Sequence, residues 1–248
     1  MRGDIYKKEG FRINKDVNGA FGTGNNYIGG FFTKLLAKYQ KESIFWPPIY
    51  FASTMGVAEK LGNNCEYSTR LKDANSGFDL FILSSSIVAC ETELKAIEYL
   101  KNFDLPILVI GPFASTCPEK YIQQGANVLI GEPDTTLFSN SEILSQLTTL
   151  SKLIYPSNKQ AKLADLPIPS WENIFEHKKC VMGFLGKGYS LPIYASRGCP
   201  YSCFNYCVYP VQQGRKVRMR DPTNIVHEME TWVDKLGVNF FDIDRFDI

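Results

Sequence analysis

Histidine is nearly absent from this sequence, whose 248 residues include only His177 and His227. Neither has a second histidine at the spacing of paired zinc ligands. No apolar run approaches the roughly 20 residues that a membrane helix needs. The first residues lack the apolar stretch of a signal peptide. The formal net charge is +1, which gives no electrostatic reason to expect a nucleic acid or an anionic membrane as partner.

The composition is that of an ordinary soluble globular protein. Hydrophobic residues make up 44% and charged residues 21% of the chain, and the length suits one large domain or two small ones. There are seven cysteines, an odd number, and three of them fall within nine residues. These features predict reduced thiols and a cytoplasmic protein.

Three short apolar runs alternate with helical segments in the first half of the chain: 79–83, 106–110 and 127–130. Strands of this kind are buried on both faces, and the alternation predicts a parallel α/β sheet. Ligands bind at the carboxyl ends of such strands. The candidate binding residues at those ends are Ser84, Ser85, Gly111, Gly131 and Glu132. A polar stretch follows, in which residues 141–154 are predicted to be helical.

The densest chemical signal is the group of Cys199, Cys203 and Cys207, which follows a short apolar run at 192–196. Packing does not require thiols at this density, whereas an iron–sulfur cluster or a zinc ion does. Three cysteines leave one iron of a cubane cluster free for another ligand. Zinc ligation and a purely structural role remain the alternatives.

The stretch Arg197-Gly-Cys-Pro-Tyr-Ser-Cys203, continued by Tyr206-Cys-Val-Tyr-Pro210, resembles the cysteine loop of the radical SAM superfamily. The resemblance implies a [4Fe–4S] cluster held by the three thiolates and S-adenosylmethionine bound to the fourth iron. It also places Tyr206 near the adenine. Here three residues separate Cys203 from Cys207, where the family usually has two.

The first half is similar to the cobalamin-binding domain that precedes many radical SAM barrels. The similarity covers roughly residues 10–140 and rests on Trp46-Pro-Pro-Ile-Tyr-Phe-Ala, Ser84-Ser85, Ile110-Gly-Pro and Gly131-Glu-Pro. It implies that Ser84, Ser85, Gly111, Gly131 and Glu132 line the corrin tail. Histidine ligation of cobalt is excluded, because no histidine precedes His177. The alternative is a related domain that has lost the cofactor and only packs on the barrel.

The expected organisation is a Rossmann-like, doubly wound domain over 1–145, a linker over 146–189 and the start of a (β/α) barrel over 190–248. In the linker, Trp171 is expected to anchor the chain by packing. A helix over 225–236 is expected after Asp221, with Val226, Met229 and Val233 facing the core. About one and a half barrel units are present, so further units or a second chain would have to complete the barrel. The chain alone is expected to have little turnover.

The resulting hypothesis is a cobalamin-dependent type of radical SAM protein for radical chemistry such as methyl transfer on an unknown small molecule. One alternative is a non-catalytic module that binds cobalamin or a partner. The other is a methylthiotransferase-like protein, which would need Cys65, Cys90 and Cys117 as ligands of a second cluster. The basic segment 212–220 is expected to be either a solvated face or a binding surface for phosphates or carboxylates.

Overall fold

The computed structural model describes residues 5–6, 12–13, 48–68, 70–87, 89–156, 161–177, 188–201 and 207–244. The strands are β1 (Ile5–Tyr6), β2 (Arg12–Ile13), β3 (Phe81–Ser84), β4 (Ile107–Ile110), β5 (Asn127–Leu129), β6 (Leu153–Ile154), β7 (Tyr189–Tyr194), β8 (Ser196–Arg197), β9 (Arg218–Met219) and β10 (Val238–Asp244). The helices are α1 (Ile49–Lys60), α2 (Cys90–Leu100), α3 (Pro112–Thr116), α4 (Glu119–Ile122), α5 (Pro133–Ser139), α6 (Glu172–His177), α7 (Tyr209–Gln213) and α8 (Pro222–Leu236). None of the helices in these ranges is long and apolar enough to cross a membrane.

A four-stranded, all-parallel sheet with the order β3-β4-β5-β6 forms the front of the molecule. Successive strand residues face opposite sides of the sheet, so each apolar run contributes side chains to two cores, one on each face. Ile82 and Leu108 pack with α1 and α5, and Leu83 and Val109 pack with α2 and α4. Helices therefore cover both faces, which confirms the predicted Rossmann-like α/β fold.

The predicted helix over 141–154 is wrong. Residues 141–146 form turns, and Leu153–Ile154 is the fourth strand of the sheet. Side chains in this stretch bond to nearby backbone: the Ser145 hydroxyl donates to Glu142 O and the Thr148 hydroxyl accepts from Leu150 N. Local bonds of this type compete with helix formation.

The second half contains a parallel strand pair, β7 and β10, joined by α8. The predicted helix after Asp221 is confirmed, because the Asp221 carboxylate accepts from Thr223 N at 2.8 Å and caps the amino end. The predicted core face of this helix is wrong. Val226 and Val233 are about half exposed, and the buried residues are Glu228 and Trp232.

The segment 168–171, which falls in the expected linker, packs against α1. Ser170 N donates to Ala52 O at 2.8 Å. A Cβ atom at Gly56 would lie 2.5 Å from Ile168 O, so glycine is required there for the close approach of the two backbones. Trp171 is fully buried in a core that also includes Leu108 of the front sheet and Leu191 of β7. The expected anchoring role of Trp171 is thus confirmed.

Candidate metal centre

The cysteine loop sits at the carboxyl end of β7 and is closed at its base. β8 precedes the loop, β9 follows it, and the two pair in antiparallel fashion with Arg197 opposite Arg218. Cys199 N donates to Gly214 O at 3.1 Å, and Gly198 N donates to the Gln213 side chain at 3.1 Å. These contacts fix the start of the loop against the segment that follows it, residues 213–219, which is its return segment.

Cys199 and Cys207 are half-buried free thiols at the two ends of the predicted ligand set. Cys203 and Tyr206 lie outside the described residues. Within the described ranges, no group of three or more histidine, cysteine or acidic residues is placed to hold a metal ion. The donor chemistry of the two described thiols suits a cluster, because both are partly accessible and neither is consumed in a disulfide.

A buried ion pair joins the cysteine loop to the front domain. The Arg197 guanidinium donates to both carboxylate oxygens of Asp134, with Nη1–Oδ1 at 2.8 Å and Nη2–Oδ2 at 2.6 Å. Ser53 completes the group by donating to Asp134 Oδ2 at 2.6 Å. The guanidinium also lies over the Tyr194 ring, 4.5 Å from its centroid. Two parallel bonds of this kind set the direction as well as the position of an arginine.

The pKa of Asp134 reflects this pairing. Burial by itself would raise the pKa, but the Arg197 charge and the bonds from Arg197, Ser53 and Thr135 N hold it below its ordinary value. Burial would lower the pKa of Arg197, whereas Asp134 and Glu132 raise it overall. Both groups are therefore charged in the folded protein at neutral pH.

We expect the contribution of Asp134 to stability to disappear in acid. Below about pH 4 an unfolded aspartate takes up a proton while the folded Asp134 remains ionised, so the unfolded state binds more protons and the free energy of unfolding falls. Asp134→Asn should therefore differ most from the wild type at neutral pH and less as the pH drops. Urea titrations across this range check the prediction, and a difference independent of pH would contradict it.

A second ion pair lies beside the first. Arg218 Nη1 and Nη2 donate to Glu132 Oε2 and Oε1 at 2.9 and 2.5 Å, and Arg218 also donates to Gln213 O at 2.9 Å. Glu132 is 2% exposed. Arg220 of the same segment pairs with the buried Glu228 at 2.6 Å. Arg218 and Arg220 therefore form internal ion pairs, and of the four basic residues in the segment 212–220 only Arg215 and Lys216 are exposed.

The five residues predicted to line a corrin tail do meet at the carboxyl edge of the front sheet, and all are buried: Ser84, Ser85, Gly111, Gly131 and Glu132. Their polar groups have partners inside the protein. The Ser85 hydroxyl accepts from Ala114 N at 2.8 Å. Ser115 donates to Gly111 O and accepts from Gly131 N. A Cβ at Gly131 would lie 3.4 Å from Gln212 O, so α7 covers this edge.

Binding of a corrin at this edge stays a prediction. Glu132 would have to release Arg218 before it could contact another ligand. The residues that sequence reasoning missed here are Asp134, Ser53 and Ser115. The signal available for Asp134 was its position just after a predicted strand end, in the first turn of a helix, where an acidic residue is favourable.

The three cysteines required for a second cluster are not grouped to hold a metal ion. Cys65 lines a cleft of about 830 Å³ together with Asp79, which precedes β3 at the amino-terminal edge. Cys90 and Cys117 lie beyond the opposite, carboxyl ends of the strands. Burial raises the pKa of Cys65 to about 11 and also raises that of Cys90, which disfavours thiolate ligands. The structure thus gives no support to the methylthiotransferase alternative.

Comparison with known proteins finds similarity to methyltransferases over part of the chain. The chain is 27% identical over 139 residues to a hopanoid C-2 methylase of Rhodopseudomonas palustris, covering 54% of the chain and 24% of that protein. It is 25% identical over 197 residues to an uncharacterised methyltransferase of Synechocystis, covering 75% and 34%. A segment of 41 residues is 44% identical to a bacteriochlorophyllide d C-8(2)-methyltransferase of Chlorobaculum tepidum, covering 16% and 9%.

No protein-family model matches the sequence. The matched segments span between 9% and 34% of the length of these relatives. The chain is therefore similar, over part of the relatives' length, to proteins named as methylases and methyltransferases.

Proposed function

We propose that this chain carries the cluster-binding portion of a radical SAM methyltransferase. The observation that carries the proposal is the closed loop bearing Cys199, Cys203 and Cys207 at the carboxyl end of β7, the first strand of the parallel pair with β10. The similarity to proteins named as methyltransferases supports methyl transfer as the reaction class.

In this proposal the chain holds and orients its cofactors. The thiolates of Cys199, Cys203 and Cys207 would hold a [4Fe–4S] cluster, and Tyr206 would pack near the adenine of S-adenosylmethionine. When bound, the cluster supplies the electron that starts radical chemistry on S-adenosylmethionine. The described part of the chain contributes the fixed loop base: Gly198 N and Cys199 N are bonded to Gln213 and Gly214, so Cys199 is held before a cluster assembles.

Cobalamin binding stays a prediction of the resemblance; it would require Glu132 to release Arg218, and the Ser85 hydroxyl is also bonded within the protein. The substrate is an unidentified small molecule, and a cytoplasmic location is likewise a prediction. Additional barrel units or a second chain would cover β10, which pairs only with β7 among the described strands and exposes Phe240 by 57% and Ile243 by 46%. Sheets seldom leave such an edge uncovered.

The test is anaerobic reconstitution of the full chain with iron and sulfide. We expect about four irons per chain, a paramagnetic signal after reduction, and a change in that signal when S-adenosylmethionine is added. Cys199→Ala, Cys203→Ala and Cys207→Ala should each lose the cluster. Cluster content is measured rather than turnover, since the chain spans at most 34% of the matched relatives.

The matched control is Cys65→Ala, which removes a thiol at the opposite edge of the front sheet and should leave the iron content unchanged. A wild-type chain without iron, a cluster retained in Cys199→Ala, or a signal unaffected by S-adenosylmethionine would each refute the proposal. Absence of iron would leave a binding role of the front domain as the remaining candidate function.

A further inference from the structure

The two strands that close the cysteine loop each form an ion pair with one short segment of the front domain, residues 132–134. Arg197 stands two residues before Cys199, and Arg218 lies directly opposite Arg197 in the β8–β9 pair. Their partners, Asp134 and Glu132, are two residues apart: Glu132 lies just before α5 and Asp134 in its first turn. One short segment of the front sheet thus binds both strands that close the loop.

These contacts are buried and directional. Asp134 and Glu132 are 3% and 2% exposed, and Arg197 is 6% exposed. Arg197 is fixed from three sides, by the two Asp134 oxygens, by the Ser53 hydroxyl at 3.3 Å and by the Tyr194 ring. A buried pair of this kind is costly to desolvate and contributes less to stability than to a unique geometry. The arrangement therefore limits the positions that the backbone at Gly198 and Cys199 can take.

We propose that Asp134 is a positioning residue for the cysteine loop: through Arg197 it fixes Cys199, so the front domain prepares the loop to receive its cluster. This inference rests on the proposed function, because it assumes that the loop receives a cluster. Its first test nevertheless uses the apo chain and needs no iron. Asp134 does not touch the cluster. It acts through Arg197 and the backbone that follows.

The first measurement is the alkylation rate of each thiol in the apo chain, followed by mass spectrometry. In Asp134→Asn and in Arg197→Gln we expect Cys199 and Cys207 to react several-fold faster than in the wild type, with Cys65 and Cys90 unchanged as internal references. The double variant should react no faster than either single variant, because both changes remove the same interaction.

The matched control is Glu172→Gln. Glu172 forms an ion pair of the same length, 2.6 Å, with Lys235, but this pair is about half exposed and remote in sequence from the loop. An exposed pair contributes little, so this variant should react at the wild-type rate. Ser53→Ala is the milder second variant: it keeps both charges, removes one bond to Asp134, and should raise the rate at Cys199 less than Asp134→Asn does.

The second measurement is made on the reconstituted chain. Asp134→Asn should bind less iron than the wild type, and the cluster that does form should have a more positive midpoint potential, because a nearby negative charge has been removed. Glu172→Gln should match the wild type in both quantities.

The outcomes separate this inference from the proposed function. Selective acceleration at Cys199 and Cys207 supports the positioning role even if the wild-type chain takes up no iron, a result that would refute the proposed function alone. Equal acceleration of all measured thiols in Asp134→Asn and in Ser53→Ala would show that Asp134 acts on global stability, and it would overturn the inference. Unchanged rates in both variants would overturn it as well.

Discussion

Gly198→Ala is expected to lower the free energy of unfolding by about 2 to 5 kcal/mol, because a strained backbone dihedral and an overpacked contact both cost on that scale. Gly198 has a φ of +95°, which residues with a side chain rarely adopt, and a Cβ atom there would lie 2.2 Å from Lys216 O. The obstacle is backbone, so it can move only if the return segment of the cysteine loop moves with it. Since Cys199 is the next residue, we also expect the variant to lose iron uptake.

Gly214→Ala is the matched control for Gly198→Ala. Gly214 has a φ of +76°, but a Cβ there would meet no atom of the described residues within 4 Å. This change should therefore cost only the dihedral strain, about 1 to 2 kcal/mol, and should keep most of the iron uptake. Urea titration of both variants and iron analysis after reconstitution check the prediction. Equal destabilisation by the two substitutions would contradict it, because the clash would then have no measurable effect.

The sheet and the second parallel pair could be predicted because their signals are local. The apolar run 79–83 and its two successors can be buried on both faces only in a parallel sheet, and the strands form there with small shifts at their ends. α8 was predictable from its ends, since Asp221 caps the first turn and Gly237 ends the helix with a φ of +65°.

The orientation of α8 was not predictable in the same way. Val226 and Val233 are spaced as a core stripe, yet Glu228 and Trp232 take the buried positions. Burial raises the pKa of Glu228, although Arg220 opposes the rise. An acidic residue is placed in a core only when a partner compensates its charge. That partner is Arg220, which no helical periodicity reveals.

The ionic contacts of the candidate site could not be predicted for the same reason: each charge has a partner that is distant in the sequence. Arg197 and Asp134 are 63 residues apart, and Arg218 and Glu132 are 86 apart. The sequence shows each charge but not its distant partner. From the sequence alone, Arg218 is therefore predicted to lie on a solvated or ligand-binding face. Cys199, Cys203 and Cys207, by contrast, lie within nine residues and can be recognised from their spacing alone.

Trp171→Ala is expected to cost about 3 to 5 kcal/mol of stability, the range for removing a fully buried aromatic side chain. Trp171 is 0% exposed. It belongs to one apolar core with residues of the front sheet and of β7, including Leu108 and Leu191. The cavity should not collapse easily, because the adjacent linker backbone is fixed on α1 by the bond from Ser170 N to Ala52 O. Equilibrium unfolding in urea, followed by circular dichroism, measures the loss.

Two variants test whether this loss comes from packing. Trp171→Phe keeps an aromatic ring and removes an indole N–H that has no hydrogen-bond partner among the described residues, so it should be much less destabilising than Trp171→Ala. Tyr155→Ala removes an aromatic side chain that is 67% exposed and should change stability by no more than about 0.5 kcal/mol. If Trp171→Ala were as mild as Tyr155→Ala, Trp171 would not anchor the linker. The front sheet and the β7–β10 pair would then have to be held together mainly by the Arg197 and Arg218 ion pairs.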